Sequence, residues 1–160
     1  MAVRMGVPQA TSVESDHAFG TAVRETVRRE VGDVAFRMVL PDLGPTGAWG
    51  FPTDTANCRK WPRYATHVWQ ILDSIPASPD FILVDGRFRV ASFLASLPSA
   101  QPGAQILFDD YRGRTKQYGV AETHVPVQRF VGRSALFEVP ERFDMRRAAM
   151  HLANYAVNPA

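Results

Sequence analysis

Hydrophobic and polar positions follow two different periods along the chain, and their alternation predicts its elements. Apolar residues recur about every four positions, as in Phe19, Val23, Val27 and Val31, which is the spacing of an amphipathic helix. Short apolar runs such as Phe81-Ile-Leu-Val lie between these segments and are typical of buried strands. The pattern predicts helices over residues 16–31, 63–75, 89–97 and 142–156, the last turn of another helix over 1–6, and strands over 10–14, 34–40, 81–85, 105–109, 126–131 and 134–139.

Helices and strands that alternate in this way are typical of a parallel sheet covered by helices. Only Gly132 and Arg133 separate the last two predicted strands, so we expect an antiparallel hairpin at the sheet edge. The predicted fold class is therefore α/β, a three-layer, doubly wound and mostly parallel sheet with a C-terminal antiparallel hairpin. We expect the 160 residues to form this fold as a single domain.

Residues 41–62 interrupt the alternation with a segment rich in glycine, proline and aromatic residues. A loop of more than about 12–15 residues in a compact domain is usually functional or disordered. Trp49 and Trp61 argue against disorder. We therefore expect an ordered loop over the site, with both tryptophans packing it onto the body of the domain.

Composition excludes several classes of function. The net charge is only +2 and the chain has no basic run, which argues against a nucleic-acid partner. No stretch approaches the roughly 20 apolar residues of a membrane span, and no signal-peptide pattern opens the chain, so we expect a cytoplasmic protein without a membrane partner. Cys58 is the one cysteine, which excludes an internal disulfide and a thiolate zinc site.

Acidic residues lie at or just beyond the ends of four predicted strands: Glu14, Asp42, Asp85 and the pair Asp109-Asp110. In an open α/β sheet, ligands bind outside the carboxyl ends of the strands. These acids are therefore candidates for a binding or catalytic site. Local roles remain as alternatives, because Asp42 and Asp85 are also typical turn residues and Glu14 and Asp16 are typical of a helix N-terminus. We expect Asp16 to be the cap of that helix.

The order of these elements resembles that of class I S-adenosylmethionine-dependent methyltransferases over about residues 1–139. Val13-Glu14-Ser15-Asp16 is similar to the acidic motif after the family's second strand, and residues 101–108 are similar to its proline–glycine turn into the fifth strand. The resemblance implies S-adenosylmethionine as cofactor. It also implies that Glu14 binds the ribose hydroxyls, that Asp42 contacts the adenine, and that Asp85 lies near the methionine portion or the acceptor.

Within this superfamily, Val84-Asp85-Gly86 followed by Asp109-Asp110 is similar to small-molecule O-methyltransferases of the catechol type. The resemblance implies that Asp85 and Asp109 orient or deprotonate the acceptor. In the catechol type a carboxylate and an Asp-Asn pair hold Mg²⁺, which makes Asp85, Asp109 and Asp110 candidate metal ligands. This chain has Asp110 where the pattern has Asn, and the extra carboxylate either binds a divalent ion or is simply solvated. We favour a site without a resident metal and keep Mg²⁺ as the alternative.

The family's first strand and its glycine-rich loop are not found ahead of the helical turn that ends near Gly6. Gly44, Gly47 and Gly50 follow a later strand and do not replace that loop. Three explanations stay open. The chain is truncated or its start is assigned too late, the sheet has closed around the gap, or another chain supplies the strand.

Other polar residues follow less specific patterns. Arg87 and Arg89 are expected to pair with the strand-end acids, with binding of an anionic acceptor as the alternative. Tyr111 and Tyr118 fit either an acceptor pocket or packing at the edge of the domain. The four histidines are far apart in sequence and no pair has metal-ligand spacing; only the position of His124 suggests a general base.

Together these features favour transfer of a methyl group from S-adenosylmethionine to a small-molecule acceptor. The alternative is a non-catalytic binding or assembly module on the same scaffold, which the missing glycine-rich loop favours. A nucleotide-dependent dehydrogenase would share Glu14 but would leave Asp85 and Asp109-Asp110 without a role. The identity of the acceptor and the formation of a homo-oligomer stay open.

Overall fold

The structure is a computed structural model that describes residues 6–32, 35–75 and 78–159. The strands are β1 (Gln9–Val13), β2 (Ala35–Val39), β3 (Phe81–Val84), β4 (Gln105–Phe108), β5 (Arg129–Val131) and β6 (Ser134–Glu138). The α-helices are α1 (His17–Val31), α2 (Pro62–Leu72), α3 (Arg89–Ser99), α4 (Thr115–Tyr118) and α5 (Met145–Tyr155). Residues 1–5 of the predicted helix end lie outside the described residues, as does residue 34 of the second predicted strand.

The chain divides into two compact units, Met1–Val68 and Trp69–Ala160, whose boundary falls within α2. In the N-terminal unit, β1 and β2 pair in parallel from Gln9↔Ala35 to Val13↔Val39, and α1 connects them. Asp16 caps α1 by accepting a hydrogen bond from the Phe19 amide, which confirms its predicted role as a cap.

The C-terminal unit contains a four-stranded sheet in the order β3-β4-β6-β5. β3 and β4 are parallel and are connected by α3, whereas β6 pairs antiparallel with both β4 and β5. The predicted C-terminal hairpin is confirmed, and its turn contains Gly132 at φ +60°. α3 packs against α5, and the core between them and the sheet includes Phe93, Leu97, Ile106, Phe108 and Phe137.

The predicted single sheet is observed as two sheets. β1 and β2 form one, and the other four strands form the second. Among the described residues, β1 pairs only with β2, and β3 pairs only with β4.

Two local predictions differ from the structure. The helix predicted over residues 89–97 continues to Ser99, with Pro98 inside its last turn. A proline at this position removes one amide donor from the helix, and only one helical residue follows it. Trp49 was expected to pack the long loop onto the domain, but it is 88% exposed, whereas Trp61 is only 5% exposed. The loop is ordered into two one-turn 3₁₀ helices, Ala48–Gly50 and Cys58–Lys60.

No helix in the described ranges has both the length and the apolar character needed to cross a membrane.

Candidate functional site

The parallel strands β3 and β4 bring three of the predicted acids together. The Asp109 amide donates to the Val84 carbonyl over 2.9 Å, so the β3–β4 ladder continues to the last residue before Asp85. Asp85, Asp109 and Asp110 consequently meet at the carboxyl ends of the two strands, as predicted from the strand-end rule. We refer to these three carboxylates as the strand-end acids.

Arg89, the first residue of α3, lies beneath the strand-end acids and is only 5% exposed. Its Nε donates to the Gly86 carbonyl over 3.0 Å and its Nη1 to the Asp109 carbonyl over 2.8 Å. Its Nη2 lies 3.4 Å from Asp85 Oδ1, and its Nη1 lies 3.8 Å from Asp110 Oδ2. One buried guanidinium therefore ties both strand ends to each other, which confirms the predicted pairing of Arg89 with the acids.

The turn that leads into Arg89 has an unusual backbone conformation. Phe88 is fully buried and has φ +53°, and Asp110 at the other strand end has φ +57°. Bulky residues rarely adopt this left-handed region, whereas Asp tolerates it better. Such conformations persist only where the surrounding structure holds them, and they are concentrated at functional sites.

Asp109 is the most constrained of the strand-end acids. It accepts hydrogen bonds from Ser134 Oγ over 2.6 Å and from Arg133 Nη2 over 2.9 Å. Although partial burial acts in the opposite direction, these bonds lower the pKa of Asp109 to about 2. Asp109 is therefore an ionised carboxylate at neutral pH, and its oxygens accept hydrogen bonds from donors of the C-terminal hairpin.

Asp110 is also surrounded by guanidinium groups. Its Oδ1 lies 3.0 Å from Arg133 Nε, and its Oδ2 lies 3.4 Å from Arg114 Nη2. Arg133 thus bridges Asp109 and Asp110 from the solvent side, whereas Arg89 contacts Asp110 from the buried side.

Asp85 differs from its neighbours because its side chain is 58% exposed. Desolvation raises the pKa of Asp85, and the nearby Asp109 carboxylate raises it further, while Arg89 opposes both effects. Of the three carboxylates, Asp85 is therefore the one that is accessible and able to exchange a proton near its raised pKa.

Tyr111 and Tyr118 lie in the core rather than in an acceptor pocket. Both are buried and contact the Phe108 ring, Tyr111 edge-on at a centroid distance of 5.1 Å and Tyr118 in a tilted arrangement at 5.0 Å. The Tyr111 hydroxyl donates to Glu122 over 2.9 Å, and burial together with this bond raises the pKa of Tyr111. These rings form an aromatic base beneath the strand ends and confirm the packing alternative.

The N-terminal unit holds the other two predicted acids at the ends of β1 and β2. Glu14 Oε1 accepts from the amides of Ser15 and Asp16 over 2.7 Å and 2.9 Å. Asp42 Oδ1 accepts from the Gly44 amide, and its Oδ2 lies 2.7 Å from Lys60 Nζ, so that these bonds lower the pKa of Asp42. Both carboxylates therefore brace the chain that follows their strands.

Sequence reasoning missed three contributors to these contacts. Ser134 and Arg133 reach Asp109 because β6 pairs with β4, a neighbour relation that no local pattern shows. The third contributor is Arg114, which lies beyond Asp110 in the chain. For Arg133 and Ser134, the sequence signal is the hairpin turn, which places Arg133 at its tip.

His124 and His151 are far apart in sequence, but the fold brings their side chains together. His124 Nε2 and His151 Nδ1 are 2.9 Å apart, with the rings nearly perpendicular. His124 Nδ1 is buried and has no hydrogen-bond partner within the part of the chain that the structure describes. An N–H left without an acceptor is costly, so we assign the proton to His124 Nε2, which then donates to His151.

Comparison with known proteins finds one informative similarity. No protein-family model matches the chain, and no curated protein matches it significantly. The crystal structure of a methyltransferase-like protein from Silicibacter pomeroyi DSS-3 is similar to the chain with a TM-score of 0.82 and 32% sequence identity. The similarity covers 93% of this chain and 76% of that one. This extent and identity show that the chain belongs to the same family of methyltransferase-like proteins.

Proposed function

We propose that this methyltransferase-like protein transfers a methyl group from S-adenosylmethionine to a small-molecule acceptor. The acceptor carries a proton on its nucleophilic atom, and Asp85 accepts that proton. The observation that supports the proposal is the contrast within the strand-end acids, where Asp85 is exposed with a raised pKa and Asp109 is held ionised by its donors. Carboxylates whose pKa values are driven apart in this way are typical of acid–base sites.

The donor, when bound, supplies a methyl group carried by a positively charged sulfur. Asp85 accepts the proton that the acceptor atom loses as it bonds to the methyl group, so the carboxylate ends the step neutral. The raised pKa of Asp85 brings it closer to that of the proton it must take. Asp109 is assigned a supporting role, because its oxygens accept hydrogen bonds from Ser134 and Arg133.

For the donor's nucleoside, Glu14 is the proposed ligand of the ribose hydroxyls. Its Oε1 accepts two backbone hydrogen bonds, which hold the carboxylate in place and leave Oε2 for a ligand. Asp42 is the proposed contact of the adenine amino group. Because Gly44 and Lys60 already bind its two oxygens, Asp42 would use the lone pairs that remain.

A non-catalytic module is the second candidate function. The contacts of Glu14, Asp42 and Asp109 favour it, because each carboxylate stabilises a turn or a hairpin of its own unit. A protein that kept this scaffold for binding alone would retain these acids for the same structural reasons.

The test is calorimetric titration of S-adenosylhomocysteine into the chain, after circular dichroism shows that it is folded. Glu14→Gln keeps an acceptor for the two amides but removes the charge, and it should weaken binding about 10-fold or more. Glu25→Gln, an exposed change on α1, is the matched control and should leave binding unchanged.

Labelled-methyl transfer to a panel of catechols and carboxylic acids then separates the two candidates. Binding that depends on Glu14, together with transfer to an acceptor, supports the enzyme. Binding without transfer to any acceptor favours the module. A folded chain that binds no S-adenosylhomocysteine would overturn the proposal.

A further inference from the structure

The strand-end acids, which the catechol-type resemblance makes candidate Mg²⁺ ligands, are already surrounded by fixed positive charge. Three guanidinium groups contact them: Arg89 from the buried side, and Arg114 and Arg133 from the exposed side. Three carboxylates thus face three guanidinium groups, and the local charge balances without a metal ion.

The donor set does not fit Mg²⁺. This ion requires near-ideal octahedral geometry and binds through one or two carboxylates that have oxygens free to coordinate it. Both oxygens of Asp109 accept hydrogen bonds, from Ser134 and from Arg133. An ion that entered here would have to displace these donors and would then lie among like charges.

Arg89 is placed as a resident cation rather than as a surface charge. It is 5% exposed, donates to two backbone carbonyls from different turns, and lies 5.9 Å from the centroid of the buried Tyr118 ring. A guanidinium always carries its charge, and a planar fork fixed by two carbonyls has little freedom to move away. Its charge is therefore a permanent part of the strand ends.

We propose that the Arg89 guanidinium, supported by Arg133, occupies the role that a divalent metal ion has in catechol-type enzymes, so that this site is metal-independent. Arg89 acts as a positioning residue, because it contacts the acids and not the acceptor. In the reaction, which rests on the proposed function, the acceptor proton goes to Asp85 and no metal lowers the acceptor's pKa.

The test uses Mn²⁺ as the probe, and binding to the folded chain is measured by electron paramagnetic resonance. The wild-type chain should bind Mn²⁺ with a dissociation constant weaker than about 1 mM. Arg89→Gln and Arg133→Gln each leave the strand-end acids short of one positive charge and should tighten binding about 10-fold or more. Arg129→Gln removes an exposed arginine from the neighbouring strand β5 and should cause no gain.

Wild-type binding at micromolar Mn²⁺ that Asp109→Asn abolishes would overturn the proposal. Failure of a folded Arg133→Gln chain to gain Mn²⁺ binding would also overturn it, and this variant is informative even if Arg89→Gln does not fold, because the Arg133 side chain is 69% exposed. Any methyl transfer should be unchanged by EDTA. Because Mn²⁺ binding is measured without methyl transfer, failure of this inference and failure of the proposed function are separate results.

Discussion

At the scale of single residues, the environment gives two neighbouring aspartates opposite properties. Asp85 and Asp109 end adjacent parallel strands and have the same chemistry, but burial and the Asp109 charge raise the pKa of Asp85. Donated hydrogen bonds lower the pKa of Asp109 to about 2. Asp85 is therefore suited to proton transfer, whereas Asp109 is suited to holding the C-terminal hairpin.

Asp85→Asn should reduce methyl transfer about 10²–10⁴-fold, the usual contribution of a general base. Because only the ionised carboxylate accepts a proton, wild-type kcat/KM should fall as the pH drops through the pKa of Asp85, which lies above its usual 3.8. The measurement is a pH–rate profile of both proteins. Asp80→Asn, at an exposed aspartate just before β3, is the control. A wild-type rate of methyl transfer by Asp85→Asn would show that Asp85 is not the general base.

Asp109→Asn should instead reduce stability, by about 1–2 kcal/mol near pH 7. The folded-state pKa of Asp109 is about 2, below the ordinary value of 3.8, so its contribution is fully present above 3.8 and is lost as the pH falls toward 2. Urea unfolding at about pH 7 and about pH 3 should show that the difference from wild type narrows in acid. An equal difference at both pH values would contradict this account.

The His124–His151 pair should make stability depend on pH in a different range. Burial, followed by the neighbouring His151 and Arg147, lowers the pKa of His124 below 6.5, while Asp144 opposes them. The fold therefore loses stability as the pH falls from 6.5 toward the lower folded-state pKa of His124, because His124 of the unfolded chain takes up a proton first.

In His124→Gln, the melting temperature should consequently differ less between about pH 7.5 and about pH 5.5 than it does in the wild type. Thermal unfolding monitored by circular dichroism at the two pH values provides the measurement. His17→Gln, at the exposed first residue of α1, is the control and should keep the wild-type dependence. The interpretation fails if His124→Gln keeps that dependence as well.

At the scale of elements, the loop after β2 is built from its own polar contacts. Asp42 binds Gly44 and Lys60, and the Gly47 amide donates to the Phe51 carbonyl over 2.7 Å. The turn formed by these contacts presents Trp49 to solvent at φ +60°. The loop is therefore ordered, as its two tryptophans predicted. Backbone hydrogen bonds and the buried Trp61 hold it in place, whereas Trp49 does not.

Gly44→Ala should destabilise this loop more than the same change elsewhere. Gly44 has φ +85°, and an added Cβ would lie 2.5 Å from Asn57 Cγ. Gly113 has almost the same φ of +86° but has open space around it. We expect about 1 kcal/mol for Gly113→Ala from backbone strain alone and about 2 kcal/mol or more for Gly44→Ala, measured as urea midpoints. Equal losses would show that Asn57 moves aside freely.

At the scale of the whole molecule, the two units differ in how completely their sheets are buried. β6 is buried at four of its five residues and pairs on both edges, whereas β1 and β2 form a two-stranded sheet with half-exposed residues. Two-stranded sheets are marginal unless other elements cover them. The sheet of the C-terminal unit is therefore expected to resist local opening more strongly than the pair β1 and β2.

Hydrogen exchange followed by mass spectrometry should show this difference. Amides of β4 and β6 should be protected most strongly, since local opening there exposes the core around Phe108 and Phe137. Amides of β1 and β2 should exchange faster under the same conditions. Equal protection of both sheets would indicate that the chain opens only as a whole.

The sequence by itself determined most of the elements and the position of the acids. Helix and strand periods depend on residues only a few positions apart, so β3, α3, β4 and the C-terminal hairpin lie close to their predicted bounds. For the same reason Asp85, Asp109 and Asp110 could be placed at strand ends, and Asp16 could be predicted as a helix cap.

Only the tertiary structure decided which side chains those acids meet and which remain accessible. Arg133 reaches Asp109 across 24 positions and His124 reaches His151 across 27, because strand order and helix packing bring them together. The division of the sheet also depends on strand pairing, which a local pattern does not specify. Side-chain environment arises from these long-range contacts, and it makes Asp85 an accessible carboxylate and Asp109 a structural one.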